Sequence, residues 1–258
     1  MNKTLKKVFQ IAISLAFWLI VWGLVSYKTN NEFLFPSPTK TLGAVGELLT
    51  TSEFWLLSLN SLTRIFLGII FATVIGVFLS IITTSFSFLD TLVSPAMSAV
   101  KATPVASFAF LAVLFISHNS LPIFIAALLV VPIVWTNVSA GIKSVSKEDK
   151  EVAQVYNFTF GKKLTKLYIP SILPYFVAAY RSAIGLAWKA GVAAEVLCPP
   201  KSAIGTELYF AKTYLDTEKL FALTLLTIVF SIILEKIILV VISKLPIKSA
   251  LTTTEVRA

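Results

Sequence analysis

An all-α, polytopic membrane protein of about six crossings is the fold class that this 258-residue sequence predicts. Three observations predict it. Hydrophobic residues make up 57% of the chain and charged residues 14%, whereas a soluble domain carries about 25% charged residues. The apolar residues lie in long runs, with lysine and arginine at their edges. One long polar stretch, KSVSKEDKEVAQVYNFTFGKKLTKLYIP at residues 143–170, interrupts the pattern.

A spanning helix needs about 20 mostly apolar residues. Residues 8–27 are the first candidate. This run is long and lacks a small-residue cleavage site, so it reads as a retained span rather than a targeting peptide. Residues 29–53 form a mixed connector in which Pro36-Ser37-Pro38 predicts a turn and then a short surface helix. Residues 61–84 are the second span. Residues 88–116 are broken by Pro95 and Pro104, giving one kinked span or two short helices. Residues 121–142 contain Pro132 and form the next run. Residues 171–197 follow the polar stretch, and residues 220–245 close the set, with Glu235 and Lys236 in their final third. The tail after Pro246 is polar and is expected to fray. No tandem repeat or low-complexity segment appears, so residues 1–258 read as a single membrane domain.

The net charge of +9 would suit a nucleic-acid binder if it gathered on a soluble face, but it does not. Lys3, Lys6 and Lys7 precede the first span. Lys143, Lys147, Lys150, Lys162, Lys163 and Lys166 lie in the polar stretch, and Lys244, Lys248 and Arg257 follow the last span. Six crossings put all of these on one side. The opposite loops carry Lys28, Lys40, Lys201, Lys212 and Lys219 with acids among them. The positive-inside rule therefore predicts that the polar stretch and both termini are cytoplasmic.

Little in the sequence suits catalysis. Cys198 is the only cysteine and His118 the only histidine. No intrachain disulfide, thiolate cluster or histidine-based metal site can be built from them. His118 lies in a short outer turn and reads as solvated. There is no GxxxxGK[ST] phosphate loop and no Ser/His/Asp constellation, so the chain is not expected to be an enzyme.

Two stripes of small residues predict close helix packing. Gly68, Ala72, Gly76 and Ser80 recur every four residues in the second span, as do Ala183, Ala187 and Gly191 in the fifth. Small residues let backbones approach where lipid offers no hydrophobic drive for association.

Within the polar stretch, Ser146 is placed to cap a helix starting at Lys147, with Glu148 and Asp149 in its first turn. Val152, Val155, Tyr156 and Phe160 give an apolar face. Asn157 and Gly161 both tolerate a left-handed backbone, so a bend fits there. A second basic helix is then expected over residues 162–168, opened by Gly161 and stopped by Pro170. Such a hairpin suits either a partner's groove or an anionic membrane surface.

At this point the sequence resembles a family. The permease subunits of binding-protein-dependent ABC importers carry a cytoplasmic signature: Glu-Ala-Ala, three residues, Gly, nine residues, Ile, any residue, Leu-Pro. Here Glu151-Val152-Ala153, Asn157 and Leu167-Tyr168-Ile169-Pro170 keep that spacing, with Val152 in an alanine position and Asn157 in the glycine position. Ser61-Leu62-Thr63-Arg64 with Gly68, Lys101-Ala102-Thr103-Pro104, Ala187-Trp188, Val192-Ala193-Ala194-Glu195, and Ile204-Gly205 with Ala211 and Thr217 resemble the branch that handles nitrate, sulfonates, taurine and thiamine precursors. The resemblance covers roughly residues 36–245 and implies a fold like that of type I importer permeases.

The resemblance also implies a division of labour. The chain would pair with a second copy of itself around a path in the bacterial cell membrane. Two copies of an ATP-binding subunit would dock on the 143–170 loop through Glu151, Val152, Ala153, Asn157, Gly161, Ile169 and Pro170. An extracytoplasmic binding protein would deliver the solute. The chain would bind no cofactor, ATP being used by the partner, and would contact membrane lipid but no nucleic acid.

Arg181, Lys189 and Glu195 are the candidate path residues, because charges inside a bilayer usually face protein or a water-filled route. Arg181 and Lys189 differ by only about 80° around a helix, a positive face suited to an anion. The other reading has Arg181 anchoring helices and Lys189 pairing with an acid such as Glu195 or Glu235. Arg64, near the outer end of its span, is expected to snorkel or pair. A rival function, an ion-coupled secondary transporter, calls for paired broken helices around a midplane ion site. Only residues 88–116 are clearly broken.

Overall fold

The computed structural model describes residues 3–244, so the tail after Pro246 and the last residue of the 220–245 run lie outside the described residues. Every regular element among them is helical. The helices are α1 (Lys3–Thr29), α2 (Pro38–Thr50), α3 (Ser52–Ser85), α4 (Ser87–Ala102), α5 (Val105–Ala112), α6 (Leu121–Lys143), α7 (Lys147–Val155), α8 (Phe160–Lys163), α9 (Ile169–Leu197), α10 (Ile204–Thr213) and α11 (Thr217–Lys244). Among the described residues, four stretches are by length and composition alone able to cross a membrane: Val8–Thr29, Ser52–Ser85, Leu121–Lys143 and Thr217–Ile238.

The core is the seam between α3, α6 and α9, and the small-residue stripes form it. Ile65, Ile69 and Ala72 of α3 meet Ala126, Val130 and Val134 of α6 and Ala183, Ala187 and Trp188 of α9. A Cβ added at Gly68 would stand 2.6 Å from the Ile123 carbonyl oxygen and 2.9 Å from the Ala126 Cβ. One at Gly76 would meet the Val134 side chain at 2.8 Å. Ser80 Oγ donates across the seam to the Trp135 carbonyl at 2.9 Å. Gly191 lies against Ile65 in the same way. Gly68→Leu is therefore expected to force α3 off α6, an overpacking cost of roughly 1–3 kcal/mol or more. Gly43→Leu, with nothing within 4 Å of the added Cβ, should leave the yield of folded, detergent-extracted protein unchanged. Equal yields for the two would contradict this packing.

α6 and α9 lie side by side and antiparallel. Near one end Gly141 abuts the Ile172 backbone. At the other end Leu121 and Ile125 cluster with Ala190, Ala194 and Cys198. The first is the loop end of the bundle and the second the far end. α4 starts at the loop end, where Asp90 lies 3.5 Å from Lys143, and α5 finishes at the far end, where Ala109 and Ala112 join the Leu121 cluster. The break at Thr103-Pro104 therefore splits one traverse of the bundle, with Lys101 Nζ donating to Thr136 Oγ1 at 2.8 Å just before it.

The far end is layered with short elements. Ser37 caps α2 by accepting from the Lys40 N–H, and Pro38 sits in its first turn, where a missing N–H costs nothing. Lys40 bridges Glu32 and Glu218, tying the α1–α2 connector to the start of α11. The Glu32 carboxylate holds the Lys40 ammonium above its ordinary pKa. α3 begins at Ser52, well before residue 61, because Phe54 packs with Leu223 and Leu226 of α11. α1 touches this layer through Trp22 and Ser26, which donate to the Pro36 and Phe35 carbonyls.

Candidate functional site: a capped helical hairpin and a charged column

The hairpin is built by local rules. Ser146 Oγ accepts the Asp149 N–H at 3.1 Å and starts α7. Glu148 and Asp149 fill the first turn, where the helix dipole favours acids. α7 is closed just past its end by Asn157, whose φ of 47° is left-handed. The Phe158 N–H reaches back to the Ala153 carbonyl and the Asn157 N–H to the Gln154 carbonyl, both at 2.9 Å. This is a Schellman motif with asparagine in the position that usually carries glycine.

Two expectations need correction. Gly161 does not bend the chain: no described glycine has positive φ, and Gly161 lies inside α8. Pro170 does not stop the second helix either. α8 runs through a π-helical turn, Leu164–Tyr168, straight into α9, where Pro170 occupies the first turn. Proline clashes with the carbonyl four residues back and supplies no N–H. The wider π turn just before Pro170 meets that demand without ending the helix.

Only Ala153 of the hairpin's predicted coupling residues is buried, at 2% exposure. Glu151, Asn157, Gly161, Ile169 and Pro170 are exposed. Val152, Val155, Tyr156 and Phe160 are exposed as well, Val155 at 78% and Phe160 at 82%. These four apolar side chains therefore stand largely open at a charged tip. A groove of about 450 Å³ lies between the two limbs, lined by Asp149, Val152, Phe158, Lys162, Lys166 and Leu167.

The three predicted path residues separate. Arg181 and Lys189 are exposed on α9 and form no hydrogen bond or ion pair with any described residue. Glu195 does not line an open face, and it does not pair with Lys189. It is fully buried at the far end. Its Oε2 accepts from Ser61 Oγ at 2.8 Å and from the Gly205 N–H at 3.1 Å. Ser61 Oγ in turn accepts the Ile204 N–H at 3.0 Å. Two free N–H groups at the start of α10 are thus satisfied from α3 and α9. Glu195 Oε1 accepts no hydrogen bond and faces Arg64 Nη1 at 3.8 Å. Arg64 also donates to the carbonyls of Lys201 at 2.6 Å and Ser202 at 3.2 Å. Arg64 therefore pairs.

Residue-level reading missed Ser61 and Gly205 as partners of Glu195. Gly205 has to be small: a Cβ there would stand 2.2 Å from the Glu195 Cβ and 2.8 Å from the Val196 backbone nitrogen. No periodicity reveals a contact between residues 134 positions apart. The one available signal was the family likeness around Ser61, Glu195 and Gly205.

The described residues thus form a bundle of close-packed apolar helices with a capped, partly apolar hairpin projecting from one end. The chain matches, over residues 65–245, the family described as the binding-protein-dependent transport system inner membrane component, and it belongs to that family. It is 24% identical over 212 residues to the putative aliphatic sulfonates transport permease protein SsuC of Bacillus subtilis, covering 82% of this chain and 75% of that one. It is 29% identical over 199 residues to the bicarbonate transport system permease protein CmpB of Synechococcus elongatus, covering 73% and 71%. The nitrate import permease protein NrtB of Synechococcus elongatus is 26% identical over 207 residues, covering 76% and 74%. Among solved structures, a chain of a bacterial ABC transporter involved in alginate import superposes with a TM-score of 0.65 at 16% identity, covering 95% of this chain and all of that one. The protein is accordingly the multi-pass permease subunit of an ABC importer in the plasma membrane, working with a binding protein and an ATP-binding subunit.

Proposed function

We propose that the hairpin of residues 143–170 is the element through which ATP-binding subunits drive this permease. The observation that carries the reading is the exposed apolar side of the hairpin: Val152, Val155 and Tyr156 on a limb whose two ends are pinned by Ser146 and Asn157, with Phe160 just beyond the bend at the start of α8. A rigid limb with an apolar face suits a protein groove, where buried apolar area drives association. Glu151, Val152, Ala153, Asn157, Gly161, Ile169 and Pro170 make up the coupling segment. Two ATP-binding subunits serve two copies of this chain, one hairpin each. This chain performs no catalysis and binds no cofactor, and ATP is used by the partner. The chain crosses the membrane six times, the α4–α5 pair counting once, and keeps the hairpin and both termini in the cytoplasm. The lysines beside the hairpin support that orientation.

Orientation and docking are tested together by labelling. In a Cys198→Ser background, Val155→Cys should resist a membrane-impermeant maleimide in intact cells, while Lys201→Cys, exposed at the far end, should react. In inside-out vesicles stripped of the ATP-binding subunit, Val155→Cys should react, and adding the subunit back should protect it. Labelling of Val155→Cys in intact cells would overturn the orientation. Absence of protection in vesicles would overturn the docking.

The relatives' names differ in their solutes: sulfonates, bicarbonate, nitrate and, for a further relative, formylaminopyrimidine. The solute class has to come from this chain's own residues.

A further inference from the structure

The two exposed cations of α9 and one acid of α11 form a column at the middle of the bundle. Arg181, Gly185 and Lys189 are successive at four-residue spacing, which puts Gly185 between the cations, about 6 Å along the axis and about 40° around it from each. Glu235 of α11 fills the space that a side chain at Gly185 would take: a Cβ there would stand 2.7 Å from Glu235 Oε1. The carboxylate therefore lies over the helix between Arg181 and Lys189, yet within 4.0 Å of neither, since no ion pair joins them. Lys236, beside Glu235, is exposed too. Ser182, Leu186, Ala193 and Leu197 complete an exposed strip on the same side of α9 as Lys189.

Arg181 lies 12 residues from the loop end of α9 at Ile169, about 18 Å along the axis. A charge within a bilayer is costly and almost always faces protein or a water-filled cavity, so with α9 as one of the six crossings this strip faces water or protein. The nearest described acid leaves the column with a net positive charge. We infer that Arg181 and Lys189 form a relay for a small oxyanion, with Glu235 as the resting counter-charge that the solute displaces. This rests on the permease reading and adds the solute class to it. The chemistry of each member fits. Arginine offers a planar fork matched to the paired oxygens of a carboxylate-, sulfonate- or nitrate-like group, and lysine offers a point charge. Two cations alone would hold an anion too tightly for passage. A transport site has to bind strongly enough to admit its solute and weakly enough to release it. Glu235, placed over Gly185 midway between the cations, competes with the anion for both and supplies that weakness. A cationic solute meets net repulsion.

Charge-selective thiol modification tests this without a known solute. In membranes holding the chain with its ATP-binding subunit, in the Cys198→Ser background, cysteine is placed at Ser182 or Ala193, both neutral and exposed on the strip. Each is treated from both sides with an anionic sulfonatoethyl and a cationic trimethylammonioethyl methanethiosulfonate. Rates are normalised to those with a small free thiol. The anionic reagent is expected to be favoured by about tenfold or more, the effect of a focused local potential. Lys189→Gln should lower that ratio and Glu235→Gln should raise it. Millimolar nitrate or methanesulfonate should slow the anionic reagent more than chloride at equal ionic strength does. A ratio near one, a ratio indifferent to both substitutions, or no reaction at either position would overturn the relay. Co-purification of the ATP-binding subunit with the parent chain is scored in the same preparations. An assembled complex with a ratio near one sinks the anion relay alone, whereas loss of that association sinks the permease reading.

Discussion

Glu195→Ala is expected to cost most of the assembled protein. The carboxylate is fully buried and holds three groups on two other helices: Ser61 and the Arg64 guanidinium of α3 and the Gly205 N–H of α10. Removing one partner of a buried charge pair costs about 3–5 kcal/mol, because the other is left uncompensated. Arg64 keeps its two carbonyl acceptors, so the lower part of that range applies. Losing the cap on α10 adds about 1 kcal/mol. Glu195→Gln keeps the shape and one oxygen able to accept from Ser61 and Gly205, and loses only the charge, so it should be much milder. Combining it with Arg64→Met should cost less than the sum of the two single changes, since the pair acts as a unit. Gly205→Ala should be as damaging as Glu195→Ala for a different reason. The added Cβ meets backbone atoms of residues 195 and 196, which cannot swing away. Yield and melting temperature of the detergent-solubilised complex measure all five variants, Arg64→Met alone included. A Glu195→Ala protein that melts with the parent would show that this network does not hold the far end together.

The same network shows where sequence reading stops. Hydropathy locates long helices, because a bilayer imposes length and composition on each crossing independently of the rest of the chain. The stripe Gly68, Ala72, Gly76, Ser80 was legible for a similar reason: close approach leaves a spacing that one helix displays alone. The ends of α7 were legible because their caps are local, Ser146 with Asp149 and Asn157 with Gln154. Glu195 was misread as path-lining because its partners lie in other elements, and an acid on a membrane helix looks the same whether it faces water or a buried arginine. Pro170 was misread by applying a correct rule too locally. Proline ends helices in general, but here the π turn preceding it absorbs the clash. The start of α3 was placed too late because its first turns are amphipathic, packing Phe54 and Leu57 inward while Glu53 is exposed.

Asn157→Val is expected to uncouple transport while leaving the bundle intact. Its φ of 47° lies in the left-handed region, which costs an ordinary residue about 1–2 kcal/mol and a β-branched one more. The Schellman bonds from Asn157 and Phe158 depend on that conformation, so valine should fray the end of α7 and re-aim Val155, Tyr156 and Phe160. Asn157→Gly should be tolerated, because glycine adopts the conformation without penalty. Glu151→Lys isolates the partner's share of the effect. Glu151 is exposed and pairs with no described residue, so reversing its charge has little to disturb within this chain. A loss of function there must come from the surface it meets. Both Asn157→Val and Glu151→Lys should insert and fold at parental yield, yet lose most solute-stimulated ATP hydrolysis and part of their ATP-binding subunit on co-purification. The contrast between valine and glycine at one position separates conformation from side-chain chemistry, since both remove the asparagine amide. If Asn157→Gly fails as badly as Asn157→Val, the amide itself contacts the partner and the left-handed bend is not what matters. If both Asn157→Val and Glu151→Lys couple normally, the hairpin is a membrane-surface loop and the force enters the permease elsewhere.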